Sequence, residues 1–185
     1  WKIEDPFNGT RDLCNKVIRC VGDPYKRFDE DALRILRAVR FSCQLGFDIH
    51  RDTLDAMSDC IQGLSNISAE RIRDELVKII MTPKAHEGII DMYNIGAIAW
   101  VLPELECTPM IQQSKPWHLY NVFDHTMVAL REICRPEVGA DLSTRLAVLY
   151  HDIGKVITKT IDEEGICHFY GHPAKSAEGT ISSME

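Results

Sequence analysis

The chain of 185 residues is 45% hydrophobic and carries 21 Lys and Arg against 28 Asp and Glu, a formal net charge of −7. That size suits one or two small domains, and the acidic balance excludes a general electrostatic affinity for nucleic acid, so any such contact must come from a local basic cluster. No apolar run approaches the roughly 18 residues that span a bilayer, no signal peptide is expected, and seven cysteines without a CxxC pair point to reduced thiols in a cytoplasmic protein.

In chain order, WKIEDPFNG reads as the end of a strand entering a turn at Asp5-Pro6 and Asn8-Gly9, and KVIRCVG as a short β-branched strand. Asp29 is the expected N-cap of a helix over 30–45. HRDTLDAMSDCIQG follows as a second helix closed by Gly63. Ser68 caps a third, whose Ile72, Leu76, Ile79 and Ile80 share one face and which Pro83 stops. AHEGIIDMYNIG is a fourth, ended by Gly96. The Pro-rich stretch LPELECTPMIQQSKPWH marks a domain boundary. NVFDHTMVALREIC and DLSTRLAVLYHDIG are two more helices, and KTIDEEGICHFYGHPAKS reads as a loop or small hairpin. The expected fold is mostly α with a remnant of sheet at the front. With Trp1 first and SSME last, both ends are expected to be internal to a longer protein.

The stretch RFDEDALRILRAVRF, residues 27–41, carries four arginines and three consecutive acids. On one continuous helix, with about 100° per residue, Asp31, Arg34, Arg37 and Arg40 would form a polar ribbon about 13 Å long opposite an apolar stripe of Ile35, Leu36, Val39 and Cys43. That is about the reach of an extended nucleoside triphosphate. A carboxylate accepts from an exocyclic amino group and a guanidinium donates to a ring nitrogen or carbonyl. Asp31 with Arg34 would therefore match the edge of cytosine or adenine, while Arg37 and Arg40 would be free for phosphates. The plainer alternative is a solvated helix face with local ion pairs.

DPFNGTRDL, IRCVGDPYKRFDEDALRILRAVRF and NISAERIRDELVKII, in this order and over residues 1 to 105, resemble consecutive motifs of class II tRNA nucleotidyltransferases, the family of CCA-adding enzymes and bacterial poly(A) polymerases. The resemblance implies that Asp31 and Arg34 select incoming CTP or ATP and that Arg37 and Arg40 make further nucleotide contacts. It implies tRNA as partner, and magnesium at a pair of catalytic carboxylates that precede these motifs and are absent from this chain. Residues 1–26 would be the edge of the nucleotidyltransferase head, 27–105 the helical neck and 106–116 a linker. Poly(A) addition is the alternative activity within the family.

His125 in NVFDHTMVAL and His151-Asp152 in LAVLYHDIGK are a donor set suited to a divalent ion, Mn, Ni, Fe or Mg, with His168 and His172 further on. The alternative is a His-Asp pair that only caps a helix end at Gly154. Residues 117–185 resemble the start of a helical HD phosphohydrolase domain, which implies metal ligation by His125, His151 and Asp152. The later Asp ligand of that pattern is absent, so weak metal occupancy is expected. A metal-dependent phosphohydrolase is the rival reading of the whole chain.

Overall fold

The computed structural model describes residues 4–113 and 119–184. The chain is mostly helical with two small sheets, and forms two compact units, Trp1–Val101 and Leu102–Glu185.

In the first unit the front of the chain is helical. The Asp5 carboxylate accepts from the backbone N–H groups of Gly9 and Thr10 at 2.7 and 2.9 Å and so satisfies the free donors at the start of α1, Gly9–Cys14. Residues 4–8 are therefore a capping turn, not the expected strand end; Trp1–Ile3 lie outside the described residues. The KVIRCVG strand shrinks to β1, Val17–Ile18, which pairs in parallel with β2, Asp48–Ile49. A two-residue parallel pair leaves no alternation to detect, which is why β2 was not expected.

The expected helix over 30–45 is two helices. Asp23 caps α2, Pro24–Glu30, with its side chain accepting from Tyr25 N–H and Pro24 in the first turn. Asp31 then leaves the helical region, with φ −159° and ψ 100°, and its Oδ1 accepts from Leu33 N–H at 3.2 Å. That local side-chain bond competes with the helix ladder and restarts the chain as α3, Leu33–Leu45. The helix α4, Arg51–Asp59, ends at Cys60. A 3₁₀ segment over Ile61–Asn66 then runs through Gly63 instead of stopping there. The helices α5, Ala69–Ile80, and α6, Ala85–Asn94, follow expectation; Gly96 at φ 79° closes α6, and the short α7, Ile98–Val101, ends the unit. Ser68 holds the cap position of α5, although its hydroxyl makes no capping bond.

The core is the apolar stripe of α3 laid on α5 and α6: Ile35, Leu36, Val39, Ile79, Ile80, Ile89 and Met92 are fully buried. Each such side chain contributes about 1.5–3 kcal/mol on burial. This packing fixes α3, and with it the arginines, against α5.

In the second unit the Pro-rich start folds into 3₁₀ turns at Pro103–Leu105 and Thr108–Met110. The helices α8, Val122–Ile133, and α9, Leu142–Tyr150, are capped by the side chains of Asn121 and Asp141 and pack on each other. After the short α10, Lys155–Thr158, the strands β3, Thr160–Ile161, and β4, Cys167–His168, form an antiparallel hairpin. The expected loop or small hairpin is thus a hairpin, but its last residues, 172–176, begin α11, His172–Met184. Among the described residues no helix is long and apolar enough to cross a membrane.

Candidate nucleotide site and candidate metal centre

The four residues singled out at 31–40 do not share one helix face. Asp31 stands at the break between α2 and α3, and its Oδ2 accepts from Arg71 Nη2 on α5 at 2.8 Å. Partial burial alone would raise its carboxyl. The Arg71 hydrogen bond and the Leu33 N–H outweigh that and hold it below the ordinary carboxylate range. Arg34 Nη1 donates to Glu30 Oε2 and to the backbone carbonyl of Arg27, both at 2.6 Å. Glu30 also accepts from Arg27 at 2.6 Å, so one carboxylate holds two guanidinium groups, and the Arg34 bond lowers its pKa. Arg37 is exposed and has no ion pair among the described residues. Arg40 turns inward: its Nε lies 3.1 Å from Oε2 of the buried Glu75, without hydrogen-bond alignment, and its guanidinium sits 4.5 Å above the Phe41 ring. The free-face ribbon is thus corrected. The break takes Asp31 off the helix that carries Arg34, and Glu75 on α5 draws Arg40 into the interface.

Two hollows that share Phe28 adjoin the break. Asp31, Glu30, Asp59 and Arg71 line one of about 630 Å³. Arg34, Arg37, Arg27 and Arg19 line another of about 480 Å³, floored by Phe28 and Phe41. Arg19, Arg27 and Glu30 were not among the expected site residues. Arg71 was visible in ERIRDEL, but nothing in the sequence pointed it at Asp31 across 40 positions.

The second unit brings His125, His151 and Asp152 together, with ligand atoms all within 4.8 Å of one another. Nε2 of His151 and of His125 lie 3.1 and 3.8 Å from Asp152 Oδ2, and Nε2 of His172 lies 3.5 Å from Oδ1. Two donors bound about 2.1 Å from one ion sit roughly 3.0–3.5 Å apart, so the spacing suits a shared divalent ion. The ring nitrogens are set for it. Nδ1 of His151 is 2.6 Å from the Val148 carbonyl and Nδ1 of His172 is 2.8 Å from the Phe169 carbonyl. With protons on Nδ1, neutral rings would offer both Nε2 lone pairs to an ion shared with Asp152, whereas a protonated His151 donates from Nε2 to Asp152 Oδ2. Lys155 Nζ, buried, donates to Asp152 Oδ2 and to Gln113 Oε1, each at 2.8 Å. Burial would raise the Asp152 carboxyl; the His151 and Lys155 bonds outweigh it and hold it well below the usual range, while the Asp152 bond raises His151.

Gly154 is what lets His172 join. Its φ is −63°, so it is not the expected left-handed helix stop. A Cβ on it would lie 2.4 Å from the His172 carbonyl oxygen and 2.6 Å from Ser176 N. Its N–H donates to the buried Ser176 Oγ at 2.9 Å, docking α11 onto the His-Asp turn. His168 goes elsewhere, to Asp162 at 2.7 Å within the hairpin.

A family profile described as the probable RNA and SrmB-binding site of polymerase A matches residues 46–108. An A-adding tRNA nucleotidyltransferase of Deinococcus radiodurans is 35% identical over 189 positions, covering 99% of this chain and 43% of that protein. The chain is similar to tRNA nucleotidyltransferases over nearly its whole length. Another relative, the CCA-adding enzyme of Streptococcus gordonii, is 46% identical over 105 residues, 57% of this chain and 26% of that protein. The solved Bacillus stearothermophilus CCA-adding enzyme in complex with CTP is 27% identical with a TM-score of 0.53, over 98% of this chain and 53% of that one. The chain thus spans less than half the length of both sequence relatives.

Proposed function

We propose that the chain supplies the nucleotide-selecting part of an enzyme that adds C, C and A to the 3′ end of tRNA. In this reading residues 1–26 are the edge of the catalytic head, 27–105 the neck, 106–116 a linker and 117–185 the start of an HD domain. Asp31 and Arg34 read the Watson–Crick edge of CTP or ATP, and Arg37 contacts phosphate. Arg40, held by Glu75, braces α3 and reaches a nucleotide only if that pair opens. The magnesium-binding carboxylates of phosphoryl transfer lie outside these 185 residues.

The observation that carries the reading is the state of Asp31 and Arg34. Beside one backbone bond each, to Leu33 N–H and the Arg27 carbonyl, they pair with solvent-reaching side chains, Arg71 and Glu30. Exposed pairs of this kind contribute only about 0.2–1 kcal/mol, so a base that offers the matching donor and acceptor can displace them. The names of the relatives span CCA addition and A addition. The test uses the longer protein, tRNA lacking its three terminal nucleotides, and labelled CTP and ATP. Stepwise C, C, A incorporation is the expected result. ATP used only after two cytidines are already present would assign the A-adding activity, and a long A tail would assign poly(A) addition.

In the second unit, His125, His151, Asp152 and His172 would hold a Mn, Ni, Fe or Mg ion. Such an ion supplies activation of water for phosphoester hydrolysis. The histidine tautomers orient the donors, and Lys155 balances the Asp152 charge from the buried side.

A further inference from the structure

Behind the candidate metal centre of the second unit stands a buried amide. Lys155 Nζ donates to Asp152 Oδ2 and to Gln113 Oε1, each at 2.8 Å, and lies 5.4 Å from the centre of the Phe169 ring. Gln113 is buried, and its Nε2 donates to the Tyr120 carbonyl at 3.1 Å. An ammonium only donates and a carbonyl only accepts, so this position takes a side chain with one acceptor and one donor. Glutamine has both, glutamate lacks the N–H, and methionine offers neither in strength. Each neighbour of the ammonium leads to an ion donor. Asp152 is one itself. The Phe169 carbonyl is 2.8 Å from Nδ1 of His172. Tyr120 precedes Asn121, whose side chain caps α8, the helix of His125.

We propose that Gln113 is a positioning residue of the metal centre, holding the Lys155 ammonium so that Asp152 keeps a lone pair for the ion. The proposal rests on the reading that His125, His151, Asp152 and His172 hold a divalent ion, and adds a residue from the stretch 106–116 that reads in the sequence as a linker. Its basis is the sharing of one oxygen. Asp152 Oδ2, which accepts from Lys155, is also the oxygen that Nε2 of His151 and of His125 approach, at 3.1 and 3.8 Å. An ion held among these groups therefore competes with the ammonium for that oxygen. Gln113 sets the strength of the competitor. Without an acceptor at 113, the ammonium turns wholly onto Asp152 and opposes a second cation there. With a carboxylate at 113, the ammonium charge is matched from behind and Asp152 is released to the ion. An amide that only filled space and satisfied donors would affect folding stability and leave no such opposition of sign.

The test is isothermal titration calorimetry of the chain with Mn²⁺, beside the melting temperature of each variant without metal. Gln113→Met, close in length, is expected to weaken Mn²⁺ binding about 10- to 100-fold. Gln113→Glu, which keeps the acceptor for Lys155 and adds a negative charge, is expected to tighten it about fivefold or more. Both variants lose the Tyr120 bond and should melt below the wild type without metal, so stability and affinity move in opposite directions in Gln113→Glu. In a Lys155→Met background, Gln113→Met is expected to change the affinity by less than about twofold, because the group it acts through is gone. Should Gln113→Met fail to fold, Gln113→Glu carries the test of sign alone. Wild-type affinity in both variants, a loss in Gln113→Glu, or an undiminished effect in the Lys155→Met background would overturn the proposal and leave the metal reading in place. No uptake of Mn²⁺ by the wild-type chain would overturn that reading and the proposal with it.

Discussion

The two candidate centres handle charge in opposite ways. In the first unit Asp31, Arg34 and Glu30 are held at the surface by partners on long side chains, and the arrangement is broken where α2 meets α3. In the second, Asp152 and Lys155 are buried, two imidazoles are fixed by backbone carbonyls, and Gly154 clamps α11 in place. The first is suited to exchange one set of partners for another, as selection between nucleotides requires. The second is already organised and suited to keep one geometry. Substitutions should therefore cost much stability in the second unit and little in the first.

The largest effect is expected at Asp152. Asp152→Asn leaves the Lys155 ammonium buried without a carboxylate, which costs about 3–5 kcal/mol. Urea unfolding followed by probes in each unit should show the loss in residues 102–185 alone. A loss below 1 kcal/mol would mean that Lys155 reaches water.

Metal is expected to act on the same unit. Adding Mn²⁺ or Ni²⁺ at about a hundred times its dissociation constant should stabilise it by about 2.7 kcal/mol. EDTA should reverse the shift, and His151→Ala or His172→Ala should abolish it. A shift that survives His172→Ala would remove His172 from the ligand set. Gly154→Ala comes next, at about 1–3 kcal/mol, because the new Cβ meets backbone on α11. It should reduce the metal-induced shift as well, read by the same melting experiment.

Asp91 gives the first unit a sizeable pH dependence on the acid side of neutrality. Burial, with help from Glu87 and Asp48, pushes its carboxyl up to about 6. The folded state then binds the proton more tightly than the unfolded chain. Stability from this group is full below the ordinary value near 3.8 and falls as pH rises through about 6. Asp91→Asn should flatten that stretch of the stability curve and add about 1–2 kcal/mol at pH 7, the full linkage being discounted for partial exposure. The smallest effect belongs to Arg71→Ala, about 0.2–1 kcal/mol, since its pair with Asp31 reaches solvent. A larger loss would show that Asp31 is locked and unsuited to exchange.

Long apolar periodicity was legible in the sequence: Ile72, Leu76, Ile79 and Ile80 placed α5, and NVFDHTMVALREIC and DLSTRLAVLYHDIG read as the helices that are α8 and α9. Short-range competition was not. The Asp31 carboxylate breaks a helix whose apolar pattern runs straight through, and a β-strand of two residues has no pattern at all. His125, His151 and Asp152 could be named from their local strings. His172 joins them only because Gly154, two residues beyond Asp152, permits a backbone approach from 18 to 22 positions away. Sequence spacing carries no signal for such a contact.

The most direct test of nucleotide selection is the ratio of kcat/KM for CTP and UTP in the longer protein, with and without Asp31→Asn. Uracil presents a carbonyl where cytosine presents an amino group, and Asn offers an N–H that the carboxylate lacks. The account predicts that the CTP preference falls by roughly 5- to 150-fold, the worth of one paired base edge. An unchanged ratio in an active variant would contradict it.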